Sequence, residues 1–112
     1  MKIGASSQNF RTITGHAGKA RRFFVYELRE DGIYELERID LPKGMALHSF
    51  SGTEHPLFDL DILVTAGCGE GFMRRMALHD VQVVSTADTG PKATVEKLLA
   101  GKEVSSAAPH EH

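Results

Sequence analysis

Asp61-Ile62-Leu63-Val64-Thr65-Ala66-Gly67-Cys68-Gly69-Glu70-Gly71 decides how this chain is organised. Asp61 to Ala66 is a largely apolar run, as expected of a central strand covered on both faces. Helical spacing follows from Gly71 to His79, with Phe72, Met73, Met76 and Ala77 on one side and Arg74 and Arg75 on the other. The only cysteine thus stands where a buried strand gives way to a helix. Three glycines, Gly67, Gly69 and Gly71, allow close backbone approach there. Free amides at the helix start favour an anion or a thiolate, so a lowered thiol pKa and a soft metal ligand are expected at Cys68.

Downstream, Val81 to Ser85 reads as another buried strand. Thr89-Gly90-Pro91 opens a last helix with proline at its first position. Val95, Leu98 and Leu99 form its apolar stripe, and Gly101 ends it. A strand-helix-strand-helix series implies a parallel crossover. Upstream, Lys2 to Ser7 reads as a first strand, and Phe23 to Leu28 alternate within a second, Arg22 to Arg29. Asp31-Gly32 turns it into a third, Ile33 to Leu41. Glu35 and Glu37 would share one water-facing side of a sheet edge. Residues 42–56 have no period, and Leu57-Phe58 closes that loop with a turn of helix. The expected fold is α/β: a mixed five-stranded sheet with an antiparallel hairpin and helices packed on it.

The 112 residues make one domain, expected over 1–103, with 104–112 a disordered tail of Ser, Ala, Pro, Glu and His. A net charge of −2 gives no broad footprint for nucleic acid, and Lys19, Arg21 and Arg22 read as a solvated rim. No apolar run approaches the ~20 residues of a membrane span, and the start lacks a signal-peptide core. A cytoplasmic protein, monomeric or weakly dimeric, is expected. One cysteine makes no internal disulfide and no cysteine-rich zinc site.

The order of segments carries a resemblance. Gly15-His16-Ala17-Gly18-Lys19-Ala20 is followed by Phe23-Phe24-Val25-Tyr26 and its hairpin, then by a loop rich in histidine and glycine. Asp61-Ile62-Leu63-Val64, Gly67-Cys68-Gly69-Glu70-Gly71-Phe72 and Val81-Gln82-Val83-Val84 complete the series. Over residues 1–102 the chain resembles the dinitrogenase iron-molybdenum cofactor biosynthesis family. The resemblance implies a ribonuclease H-like fold. It also implies a non-catalytic role: binding iron-molybdenum cofactor or an iron-sulfur precursor and carrying it among nitrogenase-assembly proteins in nitrogen fixation. The family's candidate cluster ligand falls on His16. Ala17 stands where the family has an aromatic residue, and the helix before the central strand is reduced to Leu57-Phe58.

Gly15, His16, Gly67, Cys68 and Gly69 are therefore the candidate cofactor-binding residues. Metal ligation would fall to His16 and Cys68, with His48 and His55 ranked below them, since a pair of loop histidines is more often exposed to solvent. His79 reads as a helix-end residue, and His110 and His112 as tail. A phosphate cradle at Gly67–Gly71 lacks the lysine and hydroxyl of a P-loop. Nuclease chemistry lacks clustered acids. Two alternatives stay open: an adaptor contacting a protein through the aromatic hairpin with Cys68 structural, and a thiol-dependent hydrolase using Cys68 with His16 or His48 as base.

Overall fold

The computed structural model describes residues 1–42, 44–47, 50, 52 and 54–99. The sequence-predicted tail, the helix end at Gly101, and His48, His110 and His112 lie outside the described residues. Five strands form one sheet: β1 Lys2–Ser6, β2 Arg22–Arg29, β3 Gly32–Asp40, β4 Ile62–Thr65 and β5 Gln82–Ser85. Their spatial order is β3-β2-β1-β4-β5. β1 pairs antiparallel with β2 and parallel with β4; β4 pairs parallel with β5, and β2 antiparallel with β3. Helix α1, Glu70–Ala77, connects β4 to β5, and α2, Pro91–Leu99, follows β5. The expected mixed sheet with its hairpin is what the chain forms.

Strand alternation divides the core into two layers. Phe23, Val25 and Leu63 point to one face and pack with Leu57, Leu60, Met76 and Val81. Ile3, Ala5, Phe24, Tyr26 and Val64 point to the other and pack with Ile13 and Val95. Gly4 belongs to the first layer. A Cβ there would come within 2.5 Å of the Leu60 side chain, so glycine lets that leucine lie on the sheet.

Three expectations change. β5 is an edge strand, not a buried one: Gln82 is exposed and Val83 to Ser85 are half-buried. On α1, Met76 is buried, but Met73 and Ala77 are exposed, because only the stripe through Phe72 and Met76 meets the core. Glu35 and Glu37 do not share a face. The β2–β3 register shifts between Val25 and Tyr26, whose partners are Glu37 and Glu35. Leu36 is the extra residue, and one insertion moves the side chains beyond it to the other side.

The described residues before β4 are tied to the first core layer by Leu47, Leu57 and Leu60, and polar contacts add to this. Pro56–Asp59 forms a single 3-10 turn capped by His55. Arg75 of α1 donates to the Leu47 carbonyl at 2.6 Å and to that of Phe50. It also lies over the rings of Phe50 and Phe58.

Candidate functional site: the rim at the carboxyl ends of the parallel strands

Ser6, Thr65 and Ser85 end the parallel strands β1, β4 and β5 on one rim of the sheet. In open α/β sheets, ligands bind beyond such ends. Two loops meet there through main chain. Thr14 O accepts from the Ala66 amide at 3.1 Å, and the Ala17 amide reaches Gly67 O at 3.4 Å. Two hydroxyls fasten the seam beneath: Ser6 Oγ lies 2.6 Å from Thr14 O and 2.9 Å from Thr65 Oγ1. Thr65 Oγ1 in turn reaches Thr14 O and Gly67 O at 3.2 and 3.1 Å. The buried polar atoms of this rim satisfy one another.

This seam joins the loop that bears His16 to the loop that bears Cys68. Gly15 lies against Gly67 at van der Waals distance, 3.7 Å from a Cβ built on it to the Gly67 nitrogen. His16 is exposed and has φ +52°, a left-handed conformation that costs a β-carbon residue energy. Its carbonyl takes the amides of Lys19 and Ala20, closing the single turn that fixes this conformation. Ala17 is fully buried in the first core layer and anchors the turn from below. Gly67 is buried and Gly69 half-buried, the latter standing at the N-cap of α1 with no side-chain cap.

Cys68 is half-buried and packs against the first core layer. Burial pushes its thiol pKa up, and a hydrogen bond with the Ser85 side chain works the other way. The direction is opposite to the expected lowering, because burial outweighs the Ser85 hydrogen bond.

His55 sits apart from this pair. It is buried, not solvent-exposed as expected, and both ring nitrogens are engaged. Nε2–H donates to Met45 O at 2.7 Å, and Nδ1 accepts from the Leu57 amide at 3.1 Å. Phe50 and Phe58 contact its ring. In this arrangement neither nitrogen is available to a metal. Burial lowers its pKa, the Met45 bond raises it, and the nearby Arg75 charge lowers it further. His79 stacks on Phe58 at 3.6 Å between centroids, a structural contact. Among the described residues, no group of at least three His, Cys, Asp or Glu side chains could hold a metal ion.

Sequence reading missed Ser85, Ser6 and Thr65 as supports, and Arg75 as the clasp of the loop. Ser6 and Thr65 are 59 residues apart, and no local spacing signals such a pair.

The chain matches the family described as dinitrogenase iron-molybdenum cofactor over residues 1–101, nearly its whole length. It belongs to that family. The expected membership is thereby established, and it ties the chain to nitrogenase cofactor biosynthesis. Two solved structures share the fold. PH0822, a crystal structure, is 17% identical with a TM-score of 0.73, over 93% of this chain and 96% of that one. A candidate NifB protein from Thermotoga (TM1290) of the DUF35 family, solved by NMR, is 12% identical with a TM-score of 0.60, over 99% and 98%. A search of curated proteins gives no match. Among the described residues no helix is long and apolar enough to cross a membrane.

Proposed function

We propose that this family member binds an iron-molybdenum or iron-sulfur cluster and hands it on during nitrogenase cofactor assembly, performing no catalysis itself. His16 and Cys68 would be its contacts, with Gly15, Gly67 and Gly69 giving the backbone room to approach. The observation that carries this reading is the main-chain seam between the loops of 14–17 and 66–67. It ties an imidazole-bearing turn to the thiol-bearing strand end. Clusters take thiolates, with imidazole as an occasional substitute. One of each is too few for permanent ligation and suits a cargo that must leave. Lys19 and the first amides of α1 would offset the cluster's negative charge. Ligation by Cys68 would release its proton, so uptake of a cluster should rise with pH. On its strand order, we further propose that the sheet be classed as ribonuclease H-like.

Anaerobic titration with iron-molybdenum cofactor and with an iron-sulfur precursor tests this, read by visible absorbance and bound iron. Cys68→Ala and His16→Ala should each weaken uptake by about tenfold or more, since even outer-shell partners of metal ligands cost that much. Unchanged uptake in both variants would remove the two ligands.

A further inference from the structure

Beside the seam, where the Gln8 amide donates to Thr14 Oγ1 at 3.0 Å, Gln8, Arg21 and Arg22 line a surface cleft of about 190 Å³. Both arginines are exposed, as the solvated-rim reading expects, and each is also held by a hydrogen bond. Arg21 Nε donates to Leu41 O at 2.9 Å, and Arg22 Nη1 to Gln8 O at 3.1 Å. Each bond fixes a guanidinium while leaving most of its N–H groups for something else. Gln8 Oε1 accepts from the Arg21 amide at 3.2 Å, so the donor end of that side chain is the part left to act. The Arg22 guanidinium also rests over the Phe10 ring at 5.5 Å. Asp40 approaches Arg22 Nε at 3.6 Å, but with side chains 46% and 51% exposed the pair is weak.

We propose that this cleft binds a small oxyanion: a phosphate or carboxylate group of a free small molecule, gripped by Arg21, Arg22 and the Gln8 amide. Guanidinium forks match paired oxygens. The volume is below the roughly 300 Å³ at which pockets for larger ligands begin, which favours inorganic phosphate or a compact polycarboxylate. The proposal stands independently of any cluster at His16 and Cys68.

The full chain is titrated at low salt with inorganic phosphate and, separately, with citrate, following arginine Nε–H resonances and the heat of binding. Saturable shifts at Arg21 and Arg22 are expected, and the stronger anion identifies the source. Arg21→Gln and Arg22→Gln should each weaken binding about tenfold, as expected for a charge-assisted bond. Asp40→Asn should tighten it by removing the competing carboxylate. The site is overturned by the absence of saturable shifts with either anion in the unmodified chain. Equal weakening in Arg29→Gln, at the far end of β2, also overturns it, because that would be unspecific charge.

Discussion

At Cys68 the outcome turns on two competing surroundings. Cys68 packs against the first core layer, and Ser85 on the neighbouring strand offers it a hydrogen bond. The first effect is larger, so at neutral pH the group is a thiol and its alkylation should be slow. Ser85→Ala removes the opposing influence. The alkylation profile with iodoacetamide should then move to still higher pH, whereas a profile that stays put or moves down would deny Ser85 its role. The position of Cys68 at a strand end was legible from an apolar run followed by glycines. The state of its thiol was not, because the deciding neighbours arrive from other parts of the chain. His55 repeats the lesson: spacing made it a loop histidine, and only the fold reveals that Met45 and Leu57 occupy both its nitrogens.

Among elements, the irregular stretch before β4 meets α1 through the core contacts of Met76 and through the polar reach of Arg75. Arg75 spans from the helix to the carbonyls of Leu47 and Phe50 and covers two aromatic rings. Arg75→Ala should cost about 2 kcal/mol, the scale of losing charge-assisted bonds to carbonyls together with ring packing. Exposed Arg74, its neighbour in sequence, should cost under about 0.5 kcal/mol when replaced by alanine. Urea unfolding of both variants measures the difference, and equal losses would mean that the clasp contributes nothing of its own. Helical periodicity placed Arg74 and Arg75 on one polar side. It could not separate a solvated arginine from one that bridges to another segment, since the difference is 25 to 28 residues away in sequence. Likewise the hairpin was legible from Asp31-Gly32, but the bulge at Leu36 was not, and the faces of Glu35 and Glu37 followed from it.

For the molecule as a whole, two buried titrating groups bracket the pH range of greatest stability. His55 is favoured neutral in the fold, so the unfolded chain binds more protons below its ordinary pKa of 6.5, and stability falls as pH drops through that value. Tyr26 is pushed up to about 12 by burial and the charge of Glu35, with Arg38 opposing. The unfolded tyrosine ionises first, so stability declines as pH rises from 10 towards 12. Urea midpoints across pH should show a plateau between these limits. Tyr26→Phe should flatten the alkaline fall, and a fall of unchanged steepness would clear Tyr26 of responsibility. The sheet's make-up was legible because strand alternation and the strand-helix-strand order are local signals. Which strands form the edges is a global property, which is why β5 read as buried. The rim seam carries one more consequence. Its two loops are joined through peptide groups at 14, 17, 66 and 67, so the side chains at 16 and 68 can be exchanged without dismantling the joint. On the proposed function, selection can therefore change what is grasped while keeping the same grip, and a single scaffold is open to several cargoes.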